Sequence, residues 1–276
     1  MSVSTADRYA VIGNPIAHSK SPQIHAAFAE QTGEQLIYTA ELVEVGGVES
    51  FVKEFAANNG KGLNVTVPFK QDAFEIATEL SPRAQRAGAV NTLKLHGDII
   101  YGDTTDGVGL LNDLTNNHQL ELKNKRILIV GAGGAVRGVL EPLLLSQPQQ
   151  LIIANRTLSK AQQLAQDFSN FGAISASSFD ALAGQQFDLV INGTSASLAG
   201  ELPPLPEQLF AAEGCAYDMM YGAQPTAFLN WAAQQGATHC YDGLGMLVEQ
   251  AAESFYIWRK KRPETRGVIE LLRSQL

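Results

Sequence analysis

Residues 131–135 read Gly-Ala-Gly-Gly-Ala and directly follow the apolar run Arg126-Ile-Leu-Ile-Val130. A glycine turn between a strand and a helix lets the backbone approach a pyrophosphate, which then sits on the helix N-terminus. A second apolar run, Leu151-Ile-Ile-Ala154, ends in Asn155-Arg156-Thr157, with Lys160 one turn further on. An NAD site usually carries Asp or Glu at this strand end to hold the ribose 2′-hydroxyl. A carboxylate would repel a 2′-phosphate, whereas the Arg156 guanidinium can pair with it bidentately. The pattern therefore favours NADP over NAD. Position 136, where G-x-G-x-x-G asks for glycine, is Val136. A glycine turn alone also fits a tight strand-to-helix connection with no ligand. The strand before it, the helix after it and the cations at the next strand end weigh against that reading.

Three polar clusters occupy strand ends in the first half. In Gly13-Asn-Pro-Ile-Ala-His-Ser-Lys-Ser-Pro22, Ser19 and Ser21 lie in a loop that meets a helix N-terminus. Ser21 is expected as N-cap and Pro22 as the first helical residue. Two hydroxyls and free backbone donors there suit a carboxylate. Ser21 by itself reads better as an ordinary cap. In Asn64-Val-Thr-Val-Pro-Phe-Lys70, Asn64 and Thr66 alternate with Val65 and Val67 and so share one strand face. Pro68 is expected to open a helix with Lys70 in its first turn, where a cation is electrostatically disfavoured. That awkward placement points to function; the alternative is a solvated surface lysine. The third cluster joins Gly88-Ala-Val-Asn-Thr92 to Gly102-Asp-Thr-Thr-Asp-Gly107, with Asn91 and Asp106 beside strands and glycines. Asp103 and Asp106 each also read as turn formers.

The elements that must position these residues follow from apolar periodicity. From Leu122 to about Asp242, apolar runs at 127–130, 151–154, 188–191 and 215–218, and a weaker one at 238–241, alternate with helical patterns such as Leu158 to Phe168 and Thr226 to Gln235. Near-continuous apolar strands separated by helices predict a parallel sheet covered on both faces. The first half also alternates: Tyr9 to Ile12, Leu36 to Ala40 and Gly62 to Thr66 read as strands. Asn91 to Leu95 and Ile99 to Tyr101 flank His96-Gly-Asp98 as a hairpin. Lacking its own glycine phosphate loop, this half reads as a substrate domain. Leu244 to Arg262 is an amphipathic helix, and another is expected after Pro263.

Bulk properties narrow the function classes. The 276 residues are 45% hydrophobic and 17% charged, enough for one large or two ordinary domains with real cores. A net charge of −8 argues against nucleic acid or an anionic membrane as partner. Cys215 and Cys240 form no C-x-x-C and read as small core residues of a reducing compartment. The first ten residues carry no apolar leader core, and no run is long enough to span a bilayer, so a cytoplasmic location is expected. The five histidines, His18, His25, His96, His118 and His239, are scattered, and no metal-ligand cluster is expected.

Taken in order, GxPIxHSxSP, NVTxPxK, AGAVNT, GDTTDG, GAGGA, NRT and YDMxYG resemble the shikimate dehydrogenase family from Gly13 to Gln250. The resemblance implies NADPH-dependent, reversible reduction of 3-dehydroshikimate to shikimate, a step of aromatic amino-acid biosynthesis. It maps Ser19, Ser21, Asn64, Thr66, Lys70, Asn91, Asp106, Tyr221 and Gln250 onto substrate-binding positions, with Lys70 and Asp106 as the catalytic pair. Gly131, Ala132, Gly133, Gly134, Ala135, Asn155, Arg156, Thr157, Lys160, Thr194, Met219 and Gly243 match cofactor positions. Pro82 stands where the family often has an acidic residue and takes no role; Lys160 stands where Arg is common.

The residue types suit this chemistry. Hydride transfer to a ketone leaves a developing alkoxide, which a lysine beside an aspartate can stabilise and protonate. Hydroxyl and amide side chains suit a polyhydroxylated ring. His18 reads as a loop-structuring residue rather than a base. A quinate/shikimate dehydrogenase with broader substrate and cofactor use is the neighbouring alternative, and a catalytically dead nucleotide-binding relative is the other. The Arg156 region and the Ser19/Ser21 pair favour the narrower enzyme, and retention of Lys70 and Asp106 disfavours the dead one. The expected architecture is two α/β domains. Residues 1–106 plus 243–276 form the substrate domain. Residues 107–242 form a Rossmann-like doubly wound parallel sheet, inserted before the C-terminal helices. A monomer or a homodimer is expected.

Overall fold

The computed structural model describes residues 6–196 and 200–276. They group into two compact units, 1–109 with 248–268 and 110–247 with 269–276. These limits differ from the expected 106 and 242. All three chain crossings fall inside helices, and residues 269–276 group with the second unit, where Arg273 pairs with Asp242 and bonds the Gly222 carbonyl.

The first unit is built from β1 (Asp7–Gly13), α1 (Ser21–Thr32), β2 (Leu36–Leu42), α2 (Val48–Ala57), β3 (Gly60–Val65), α3 (Lys70–Ile76), β4 (Glu79–Leu80), α4 (Pro82–Ala87), β5 (Thr92–His96), β6 (Ile99–Asp103) and the start of α5 (Asp106–Asn112). Its sheet order is β2-β1-β3-β5-β6-β4. β1 pairs in parallel with β2 and β3, while β5 runs antiparallel to β3 and β6. The β5–β6 hairpin turns at Gly97, whose φ of +58° is a left-handed conformation that a side chain would strain. The core under this sheet includes Ala10, Ile12, Leu63, Val65, Phe69, Val90 and Leu93.

The second unit continues with β7 (Arg126–Val130), α6 (Gly134–Leu145), β8 (Gln150–Ala154), α7 (Leu158–Asp167), β9 (Ile174–Ser177), β10 (Phe187–Asn192), β11 (Phe210–Asp218), α8 (Ala227–Gln234), β12 (His239–Asp242), and the start of α9 (Leu244–Arg259); α10 (Arg266–Arg273) closes the chain. All its strand pairs are parallel, in the order β12-β11-β10-β7-β8-β9. The order reverses beside β7, the doubly wound arrangement expected, and that switch point is where such sheets bind ligands. One core cluster gathers Ile127, Ile129, Val136, Leu140, Leu151, Ile153 and Ile191, and another gathers Leu128, Val130, Ile152, Val190 and Phe228. Strand residues thus alternate between two buried faces, which is why these strands read as unbroken apolar runs.

Several element limits differ from the sequence expectation. α1 begins at Ser21 with Lys20 as N-cap, so Ser21 is the first helical residue rather than the cap. Ser19 takes over part of the capping task, its Oγ accepting from the Ser21 N–H at 3.3 Å. β3 ends at Val65, so Thr66 follows the strand, and residues 67–69 form a turn before α3 starts at Lys70. Pro68 therefore lies in the turn instead of opening the helix. α9 ends at Arg259 rather than Arg262.

Candidate active site

In the first unit six of the polar residues picked out from the sequence, Ser21, Asn64, Lys70, Asn91, Asp106 and Gln250, converge on one connected network. Lys70, first residue of α3, donates from Nζ to Asp106 Oδ2 at 2.6 Å. The pair is part-buried, with side-chain exposures of 31% and 15%, so the charges are partly shielded from solvent yet open on one side. Asp106 opens α5, and its carboxylate suits a helix N-terminus. Asn91, in the turn before β5, donates from Nδ2 to Asp106 Oδ1 at 2.9 Å and to Thr105 Oγ1 at 2.9 Å. Its Oδ1 accepts from the Thr105 N–H at 2.9 Å. Gln250 on α9 reaches the same group through Oε1, 3.4 Å from Asn91 Nδ2 and 3.3 Å from Thr105 Oγ1.

Asn64, 6% exposed near the end of β3, is fixed from both sides. Its Nδ2 faces the Asn91 carbonyl at 3.3 Å, Thr92 Oγ1 at 3.2 Å and Ser254 Oγ at 3.0 Å. A carbonyl only accepts, so the amide nitrogen must lie on that side and Oδ1 on the other. Oδ1 accepts the Tyr38 hydroxyl proton at 2.7 Å. Ser21 is buried, and its hydroxyl is within hydrogen-bonding reach of that same phenol. Burial holds the Tyr38 phenol well above its usual range, so it remains a donor. Ser19 and Thr66 are half-buried beside these groups in sequence, and Thr66 donates its N–H to the Ile12 carbonyl at 2.9 Å.

Tyr38, Thr92, Thr105 and Ser254 belong to this network although they lie outside the set picked out from the sequence. Thr105 stands next to Asp106 within the glycine-flanked motif and carries a usable signal. Tyr38 and Ser254 sit in ordinary strand and helix patterns, and only the fold brings them in.

The second unit gathers a different set. Gly131 has φ +110°, a conformation open to glycine, and its N–H bonds the Ala154 carbonyl at 2.8 Å. α6 follows with Gly133 as N-cap, no side-chain cap and no acidic residue in its first turn. Added Cβ atoms at Gly133 or Gly134 would meet nothing within 4 Å, so the space over this helix start is open. Uncapped N–H groups, a positive helix end and open space make an anion cradle. Val136, which departs from the glycine fingerprint, is fully buried; a Cβ on Gly193 would lie 2.4 Å from its Cγ2. Close packing is therefore provided by a glycine after β10 instead of by one on the helix.

Past the end of β8, Asn155 donates to the Thr157 carbonyl at 2.9 Å, and Arg156, Thr157 and Lys160 are exposed. No carboxylate pairs with Arg156 or Lys160 among the described residues. Two free cations and no acid match a 2′-phosphate better than a 2′-hydroxyl, so this unit fits an NADP-type dinucleotide. Thr194 closes on Asn192 through its N–H (3.1 Å) and its hydroxyl (2.8 Å). Met219 follows β11 with its N–H on the Asn192 carbonyl at 3.0 Å. Gly243 lies against it, since a Cβ there would sit 2.3 Å from the Met219 carbonyl oxygen. Tyr221 is half-buried in this unit, its phenol raised by burial and then by Asp242. Ala132 and Ala135 pack against the core beneath the loop.

Among the described residues no three His, Cys, Asp or Glu gather as metal ligands, and no helix is long and apolar enough to cross a membrane.

Comparison with known proteins agrees along the whole chain. Residues 11–93 match the family model described as the shikimate dehydrogenase substrate binding domain, residues 113–199 match shikimate / quinate 5-dehydrogenase, and residues 243–273 match the shikimate 5′-dehydrogenase C-terminal domain. A shikimate dehydrogenase (NADP(+)) of Cellvibrio japonicus is 59% identical over 271 residues, covering 98% of each chain. The crystal structure of an Ael1 enzyme from Pseudomonas putida superposes with a TM-score of 0.94 at 48% identity, covering 97% of this chain and 98% of the other. Shikimate 5-dehydrogenase from Thermus thermophilus, solved in complex with NADP(H) and shikimate, superposes with a TM-score of 0.87 at 33% identity, covering 98% and 100%. This chain belongs to the shikimate dehydrogenase family.

Proposed function

We propose that the chain is an NADP-dependent shikimate dehydrogenase, reversibly reducing 3-dehydroshikimate to shikimate. The observation that carries this reading is the Lys70–Asp106 pair at 2.6 Å, oriented by Asn91 among amide and hydroxyl side chains. The first unit is assigned the substrate and the second the cofactor. Ser19 and Ser21, where the loop meets α1, are assigned the carboxylate. Asn64, Thr66, Asn91 and Gln250 are assigned the ring hydroxyls. A site built from paired amides and hydroxyls rejects analogues that lack those partners, because its own polar groups would then stay unsatisfied.

When bound, the dinucleotide supplies the hydride in reduction and takes it up in oxidation. The Lys70 ammonium stabilises the oxygen on which negative charge develops and gives it a proton. Asp106 holds that ammonium in place and accepts from the substrate hydroxyl; in the reverse direction the same pair draws the proton from the alcohol. The glycine loop from Gly131 to Ala135 and the first turn of α6 are assigned the pyrophosphate. Arg156, with Asn155, Thr157 and Lys160, is assigned the 2′-phosphate, and Thr194, Met219 and Gly243 the nicotinamide end.

Every residue given a role lies in one chain, so the reading covers a monomer or a homodimer alike. Both cysteines are free, Cys215 buried as expected and Cys240 exposed rather than in the core, and free thiols suit the reducing cytoplasm as its location. The direct test is NADPH formation with shikimate, followed by absorbance and run beside quinate and beside NAD. Strong preference for shikimate and NADP is expected; no turnover with shikimate overturns the reading.

A further inference from the structure

Arg83 takes no part in the chemistry above, yet it sits at a junction of the segments that carry it. It lies in the first turn of α4, and its guanidinium grips Asp103 bidentately, Nε to Oδ1 at 2.7 Å and Nη2 to Oδ2 at 2.9 Å. Asp103 is the end of β6, three residues before Asp106. Its carboxylate also accepts from Ser81 Oγ at 2.5 Å and from the Thr104 N–H at 2.8 Å. Its carbonyl accepts from the Asn91 N–H at 3.1 Å. Asp103 is therefore the hub from which both Asn91 and the 104–106 segment hang. The same Arg83 Nη2 reaches Glu253 Oε1 at 3.1 Å. Glu253 stands one turn after Gln250 on α9 and is held in turn by Arg262.

A guanidinium is the group for this junction. Its planar fork satisfies a carboxylate with two parallel bonds and still presents a donor to a second one, which an ammonium cannot do with the same geometry. The Asp103 side chain is 5% exposed, so losing Arg83 would leave a nearly buried carboxylate with no cation, only the hydroxyls of Ser81 and Tyr101 and one N–H. Such a group is costly to leave uncompensated and relaxes by moving its backbone. Here that backbone leads straight into Thr105 and Asp106. Arg83 itself lines an open groove of about 590 Å³ with Tyr101, Tyr256 and Lys260, so its own removal empties no sealed core.

We propose that Arg83 is a positioning residue for the Lys70–Asp106 pair, holding the 103–106 segment through Asp103 and the Gln250 turn of α9 through Glu253. This rests on the reading of Lys70 and Asp106 as the catalytic pair. A displacement on the order of 1 Å at reacting groups costs roughly a hundredfold in rate, so Arg83→Ala is expected to lower turnover by about ten- to a hundredfold. The Michaelis constant for NADP, whose residues lie in the other unit, should stay within about twofold. Arg83→Lys should recover only part of the loss.

The groove admits a small cation, so guanidinium chloride at concentrations well below unfolding should restore several-fold turnover to Arg83→Ala and none to the wild type, with sodium chloride as control. Should Arg83→Ala fail to fold, Arg83→Gln, which keeps most of the stem, is read the same way. A folded Arg83 variant with wild-type turnover overturns the proposal. So does a loss that guanidinium does not restore and that falls equally on NADP affinity. Asp106→Ala separates the role of Arg83 from that of the catalytic pair: if it too keeps wild-type turnover, the catalytic-pair reading fails; if it is inactive while Arg83→Ala is normal, only the role of Arg83 fails.

Discussion

Acid should weaken this fold through a single buried imidazole before it affects the carboxylates. His25 on α1 is fully buried, and neither ring nitrogen has a hydrogen-bond partner. Its ring stacks on Tyr38 with centroids 4.2 Å apart and 8° between planes, and Trp258 and Phe28 close around it at 5.3 and 5.8 Å. Burial pulls its pKa down from 6.5 to about 3. In the unfolded chain the imidazole takes a proton below about pH 6.5, and in the folded protein it does not until about pH 3. Between those values the unfolded state binds more protons, so stability is full above the unfolded pKa and falls as the pH drops. One proton corresponds to about 1.4 kcal/mol per pH unit, so going from pH 7 to pH 5 should remove about 2 kcal/mol. The paired carboxyls act lower. Glu34, lowered by Lys261 and Arg259, and Asp167, lowered by Arg137, lose their contribution only as the pH falls below about 4.5. Urea unfolding between pH 5 and 7 therefore isolates the histidine. The clean experiment uses a Trp231→Phe background, so that Trp258 fluorescence reports on His25's surroundings. His25→Phe keeps the ring stack and should flatten the pH dependence by about 2 kcal/mol. Equal slopes for both proteins would show that His25 is not the source of the acid sensitivity.

Arg156→Ala should raise the Michaelis constant for NADP by about tenfold or more, since a charge-assisted contact to phosphate is worth ~2 kcal/mol; an equal effect on NAD would remove the 2′-phosphate assignment. Replacing Ser19 and Ser21 together by Ala should weaken shikimate binding in calorimetry while NADP binding stays nearly intact. Unchanged shikimate binding would leave that loop with a structural role alone.

Much of the second unit is legible in the sequence because its physics is local. Buried parallel strands must be apolar along both faces, so β7, β8, β10 and β11 announce themselves. β9 does not: its Ile174-Ser-Ala-Ser177 is partly exposed at the sheet edge and reads as no strand at all. Val136 reads as a defect in the phosphate loop because a fingerprint treats the glycine as belonging to the helix. The requirement is a close approach between two elements, and Gly193 meets it from the other side.

The first unit is harder to read. Its polar clusters are visible as motifs, but the start of α3 at Lys70 depends on the turn at 67–69, which local propensity at Pro68 misplaces. Ser21 loses its capping role to a hydrogen bond from its own N–H to Ser19. Tyr38 and Ser254 leave no local trace, because their membership arises from contacts across 26 and 190 residues of chain. The unit limits also depend on tertiary packing: α10 follows α9 in sequence, yet its Arg273 pairs with Asp242.

Lys70, held by Asp106, is assigned the proton work. Turnover and shikimate affinity of folded Lys70→Ala, measured together, test it most directly. Turnover should fall by about two to four orders of magnitude, the usual reach of general acid–base help, while shikimate affinity falls far less because Ser19, Ser21, Asn64 and Asn91 remain. Adding Asp106→Ala should worsen it much less than multiplicatively, as for residues acting as a unit. Near-normal turnover in Lys70→Ala would remove Lys70 from the chemistry and leave it a surface lysine.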